Sequence, residues 1–144
     1  MKTSRALLLA ALALPAFAAL TGCSVFDELA HKQRSIQFDD AASAGADWGR
    51  DAPWLPGDAT DIRIVESTTA DDAVLLADSA SGLDRALCSA VARQSAPAYE
   101  IEGAPDAYSA TDIMVCGEWA IIPSESGWYA WTPTAPGERP GPLD

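Results

Sequence analysis

Histidine is almost missing from this chain: its 144 residues include one, His31. A serine, histidine and aspartate relay needs an imidazole held beside its nucleophile. Because the single histidine falls in an N-terminal spacer, that constellation lacks its base and no catalytic residue is assigned. Cations are scarce as well, nine Lys and Arg against 21 Asp and Glu, for a formal charge of −12. Such a field repels phosphate backbones and makes nucleic acid an unsuitable partner. Cysteine is limited to three, none in a C-x-x-C pair. With two of them bridged, the three or four ligands of a zinc site cannot be assembled, so no metal and no cofactor is expected. Carboxylates are plentiful, as at Asp71-Asp72 and at Asp58 with Asp61. The spaced Asp and Gly of a calcium loop are absent.

What is present describes one globular domain behind an export signal. The composition, 49% hydrophobic and 21% charged, is that of an ordinary folded chain and not of an acidic disordered tail. Lys2 and Arg5 form a positive n-region, and Ala6 to Leu20 is almost wholly Ala and Leu. A bilayer core about 30 Å thick needs about 20 apolar residues in a helix, and no second such run follows. Directly after this segment, Leu20-Thr21-Gly22-Cys23 resembles the lipobox of bacterial lipoproteins. The resemblance implies that residues 1–22 are a signal peptide removed by a lipoprotein signal peptidase. It also implies that Cys23 carries diacylglycerol on its sulfur and becomes the first residue. Two acyl chains give firm anchoring where one does not. The expected location is the cell membrane, lipid-anchored and facing outside the cytoplasm.

Loss of residues 1–22 leaves seven cations against 21 carboxylates, a charge of −14. Anionic headgroups push such a body outward, which suits a tethered domain. Setting Cys23 aside leaves Cys88 and Cys116 in a compartment where disulfides persist, and an even remainder predicts one bridge. The alternative, two free redox-active thiols, has no C-x-x-C spacing behind it.

Along the mature chain, residues 23–51 read as the lipidated cysteine and a tether. Val25, Phe26, Leu29 and Ala30 can form a short apolar stripe lying in the headgroup layer, and a partly ordered spacer is the preferred alternative. A globular domain is expected over 52–132. Ile62 and Ile64 alternate with charged neighbours as a half-buried strand, and Ala73 to Ala77 is a continuous apolar run fit for a buried one. Ser81-Gly82-Leu83-Asp84 matches a capping box, and Leu83, Ala86, Leu87, Ala90 and Val91 recur at helical spacing, which predicts a helix ending near Arg93. Tyr99 and Ile101 alternate with Glu100 and Glu102 as a short strand with one acidic face. That pair reads more simply as a solvated face than as glycosidase carboxylates, which face each other across a cleft. Ile113 to Ile122 and Trp128 to Thr132 predict a second hairpin, its register left open. Residues 133–144, rich in Pro and Gly, predict a mobile tail. The expected fold is α+β, a small two-layer domain with an antiparallel sheet of about five strands and one helix pinned to it by the Cys88–Cys116 disulfide.

The best candidate binding group is aromatic: Trp119, Trp128, Tyr129 and Trp131, which either form the core or stack on a glycan or partner from an exposed sheet. Acidic groups beside an exposed aromatic point instead to a cationic or peptide partner. The body also resembles the small, Ala-rich, uncharacterised lipoproteins of high-GC Gram-positive bacteria in Ala52-Pro53-Trp54-Leu55-Pro56, Ala59-Thr60-Asp61-Ile62 and Gly127-Trp128-Tyr129. That resemblance implies no activity. Two functions follow as expectations: a non-catalytic, lipid-tethered binding or envelope-associated module whose partner is an envelope protein or glycan, or a small cell-surface carboxylate-dependent enzyme or calcium-dependent module.

Overall fold

The computed structural model describes residues 32–139. The expected signal segment, the lipobox-like stretch with Cys23, the expected stripe from Val25 to Ala30 and the last five residues lie outside them. The fold is mostly β, with one short helix. In chain order the elements are β1 (Gln33–Asp40), α1 (Ala41–Asp47), β2 (Thr60–Ser67), β3 (Ala73–Asp78), β4 (Cys88–Ala92), β5 (Asp112–Cys116), β6 (Trp119–Pro123) and β7 (Gly127–Thr132). Single 3-10 turns lie at Ala107–Ser109, between β4 and β5, and at Pro136–Glu138, after β7. All seven strands join one sheet in the order β1-β2-β3-β7-β6-β5-β4, and every neighbouring pair is antiparallel.

The centre of this sheet is buried on both faces. Period-2 alternation sends Leu75, Ile121 and Ala130 to one face with Ile62 and Ile64, and Val74, Ile122, Tyr129 and Trp131 to the other. This is why Ala73 to Ala77 reads as an unbroken apolar run: each of its residues meets a core. The first face is covered by α1 and the chain that follows it, where Trp48 and Trp54 flank Trp119 with ring centroids 5.8 and 6.0 Å away. The second is covered by the connection from β4 to β5, through Tyr99, Ile101 and Ala107. Register at the centre is fixed where β7 begins. A Cβ at Gly127 would lie 2.2 Å from the Ala77 carbonyl oxygen, so only glycine lets the two backbones meet.

Several expectations are corrected. Seven strands form instead of about five, and no helix occupies 83–93. Asp84 closes a turn, accepting from the Ala86 amide at 2.8 Å with its side chain while its carbonyl accepts from Leu87 at 3.1 Å. Cys88–Ala92 then pairs with β5. Ala has high helix propensity, but pairing along β5 outweighs it, as tertiary context often does. The disulfide therefore links two adjacent strands, not a helix to a sheet. The Arg93 amide donates to Thr111 O at 2.9 Å. By alternation Cys88 and Cys116 then form a non-hydrogen-bonded pair, the closer kind, and their Cα atoms are 4.2 Å apart. The stretch expected as one strand from Ile113 to Ile122 is two, β5 and β6, joined by Gly117-Glu118 with Gly117 at φ 64°. Glycine first in a two-residue loop is the pattern of a tight hairpin.

The tether and tail are corrected too. Residues 33–47 are β1 and α1, part of the folded body. β1 alternates inward Ile36 and Phe38 with polar neighbours. Asp40 caps α1 by accepting from the Ser43 amide at 2.8 Å, which holds the Asp40 carboxyl below its ordinary value. Glu66 of β2 ties this N-terminal layer down. It is 2% exposed and accepts from Trp48 Nε1 at 2.9 Å and from Arg34 Nε at 2.6 Å, with Arg50 Nη1 at 3.6 Å.

Two outcomes follow. Replacing Cys88 and Cys116 together by Ser removes a bridge closing 28 residues, a loss of about 3–4 kcal/mol on the chain-entropy account. Calorimetry should show Tm falling by roughly 10–20 °C. Glu66→Ala leaves the buried Trp48 indole without an acceptor and should cost about 1–3 kcal/mol in urea unfolding. Glu66→Gln, which still offers an oxygen, should cost less; equal costs would show that the charge, not the acceptor, matters.

Candidate functional site

Alternation in β6 and β7 separates the aromatic group that the sequence suggested as a binding face. Trp119 and Trp128 go to the α1 side, Tyr129 and Trp131 to the other. Trp119, Tyr129 and Trp131 are 4%, 2% and 0% exposed, so they are core and do not form an exposed stacking face. Trp128 is half-buried, and its Nε1 donates to Ser81 O at 3.0 Å.

Concavity is found instead on the second face, where the β4–β5 connection arches over the sheet. A cleft of about 530 Å³ is lined there by Tyr99, Glu100, Ile101, Asp106 and Tyr108, with Tyr129 of β7 among its walls. Pockets that take small ligands run from about 300 to 1,000 Å³. The strand expected at Tyr99 to Glu102 is not formed, yet its alternation persists: Tyr99 and Ile101 pack toward the core and Glu100 and Glu102 face solvent. Asp106 starts the 3-10 turn by accepting from the Tyr108 amide at 2.9 Å, which presents the Tyr108 ring outward, 68% exposed. A second concavity of about 470 Å³ lies across the same segment, between Glu100–Glu102 and the outer strands at Gln37, Arg63 and Val65.

The arch is fastened at its neck. Arg93 Nε donates to Ala110 O and Nη1 to Ser95 O, each at 2.9 Å, so one guanidinium holds both ends of the connection. Its carbon also sits 5.5 Å from the Tyr108 ring centroid, a cation–π contact. Glu138, fully buried in the stretch expected as mobile tail, accepts from the amides of Gln94, Ser95 (2.6 Å) and Ala135 (2.8 Å). Burial opposes its charge, but these hydrogen bonds outweigh that cost and hold its carboxyl below the ordinary 4.5. Trp131 Nε1 adds a bond to Ser95 Oγ at 2.9 Å.

Within the cleft, burial and the nearby Glu100 charge push the Tyr129 phenol up to about 12. It stays a neutral donor, reaching Tyr99 O at 3.4 Å. Among the described residues no three His, Cys, Asp or Glu side chains converge as metal ligands would. The cleft thus offers aromatic edges, hydroxyls and two carboxylates for binding. Tyr99, Asp106 and Tyr108 were missed in the sequence because nothing there shows that residues 99–108 arch back over Tyr129; the Pro- and Gly-rich break after Glu102 was the one local sign. Comparison of the chain with protein-family models, with curated proteins and with solved structures finds no match.

The neck is testable by acid. A carboxyl held below its unfolded value stabilises the fold above that value, and the gain is lost as pH falls through the folded value. Glu138→Gln should cost about 1–3 kcal/mol at pH 7, because one of the amides it serves loses its acceptor. In urea unfolding at pH 7 and pH 3, the gap between wild type and variant should narrow at the lower pH. An unchanged gap would show that Glu138 acts by packing alone.

Proposed function

We propose that this protein is an exported lipoprotein, held at the outer side of the cell membrane by a diacylglycerol-modified Cys23, and that its folded body is a non-catalytic binding module. One observation carries this reading: the lipobox-like Leu20-Thr21-Gly22-Cys23 stands ten residues before the first strand at Gln33. A fully extended chain of that length spans about 35 Å. The body is thereby a short-leashed domain, kept beside the bilayer but not in it, as its surplus of carboxylates requires near anionic lipid. The Cys88–Cys116 bridge supports the same compartment, since structural disulfides persist outside the reducing cytoplasm. The cleft under the β4–β5 arch supports binding, because its walls are fastened by Arg93 and Glu138 and little ordering remains for a ligand to impose.

Mass spectrometry of the protein extracted from its own membranes tests the reading. The expected chain begins at Cys23 with diacylglycerol on sulfur, and Cys23→Ser should accumulate as an uncleaved precursor. An unmodified Cys23 in a chain that still carries Met1 and fractionates with the cytosol would overturn it.

A further inference from the structure

We propose that the cleft under the β4–β5 arch takes a flexible chain bearing alkylammonium groups, with Glu100 and Asp106 facing its charge and the Tyr99 ring lying along its methylenes. This rests on the reading of the body as a binding module and names the ligand chemistry for its site.

Charge argues first. Glu100 and Asp106 line the cleft, and among the described residues neither forms an ion pair. Among the described residues, neither nearby guanidinium is ion-paired with them. Arg93 gives its nitrogens to the carbonyls of Ala110 and Ser95. Arg63 pairs with Asp61 at 3.4 Å and donates to Glu102 O at 2.9 Å. Asp106 commits one carboxylate oxygen to the Tyr108 amide, so its other oxygen is left for a ligand. Outside the cleft the field has the same sign, since a charge of −14 in the mature chain draws cations in and turns anions away.

Shape argues second. Tyrosine presents an apolar ring and a polar edge, which suits a ligand made of methylenes and charged ends. Tyr99 and Tyr108 supply such walls, while Tyr129, its hydroxyl kept protonated, adds no further charge. One contact within the protein already shows the chemistry, for Arg93 lies against the Tyr108 ring. That contact occupies Tyr108 with a resident cation and leaves Glu100, Asp106 and Tyr99 as the groups for an incoming one. A compact metal ion would gain nothing from rings.

The mature lipoprotein in neutral detergent micelles, isotope-labelled, is titrated with tetralysine, spermidine, acetyl-capped tetra(acetyl-lysine) and tetraglutamate while amide resonances are followed. Tetralysine should shift residues 97–108 and Tyr129, weaken with added salt, and lose about fivefold in affinity on Glu100→Gln or Asp106→Asn. Glu118→Gln, at an exposed carboxylate outside the cleft, should leave affinity unchanged. Both cleft variants remove charge from exposed side chains, and their unshifted remaining spectra will show that they fold. Tighter binding of tetralysine than of spermidine assigns the ligand to a basic peptide; equal or tighter spermidine assigns it to a free polyamine. Undiminished affinity in both cleft variants, shifts scattered over the acidic surface, or equal binding of the acetylated peptide overturns the proposal. The lipoprotein reading is judged separately by the mass at Cys23, so such a result with Cys23 lipidated removes this inference alone.

Discussion

The antiparallel contact between β3 and β7 is the constraint on which the rest of the molecule depends. It joins the three N-terminal strands to the four that follow, pairing Ala73 to Asp78 with Thr132 to Gly127. Because both strands carry apolar side chains on both faces, neither face can be left to water. An open antiparallel sheet usually buries one face and wets the other. Here two covers are obligatory, and both are made from connections, with α1 the only α-helix among the described residues. The aromatic residues follow from this: a short chain with little helix closes two thin cores with large rings.

Each cover is secured by one buried carboxylate. Glu66 gathers Trp48, Arg34 and Arg50 on the α1 side, and Glu138 gathers three backbone amides on the other. Their chemistry differs. Glu66 is compensated by cations that themselves reach solvent, Arg34 remaining 47% exposed, so its burial is a matter of geometry around one indole. Glu138 is held by the Ser95 side chain and by backbone amides, and its ionised form is what they stabilise. The cleft lies downstream of the second arrangement, because the amides that Glu138 holds, together with Arg93, set where the β4–β5 connection leaves the sheet.

Much of the sheet was legible in the sequence and the covers were not. Ile62 and Ile64, the run from Ala73 to Ala77, and the return at Trp128 to Thr132 carried their strand signals locally and became β2, β3 and β7. Cysteine counting paired Cys88 with Cys116. The error at 83–93 came from an Ala-rich segment whose apolar spacing fits a helix, although its partner strand lies more than twenty residues on. β1 had a period-2 pattern in Ser35-Ile36-Gln37-Phe38, but proximity to the lipobox-like stretch and the Ala, Ser and Gly that follow suggested a spacer. For the aromatic group the limit was register, since the turn from Pro123 to Gly127 decides which rings of β7 share a face with Trp119. The cleft was beyond reach: Glu100, Asp106 and Tyr129 belong to segments that meet only through the completed sheet.

The strand order also dictates a schedule. In chain order β1, β2 and β3 come well before β7, and Ala73 pairs with Thr132, 59 positions later, to fill the open side of the central ribbon. Closing so wide a loop is slow compared with forming neighbouring hairpins. Until Gly127–Thr132 emerges, the nascent chain holds a half-finished ribbon whose most apolar strand has one bare flank. Docking of the final strand is what completes the central ribbon and joins the two halves of the sheet.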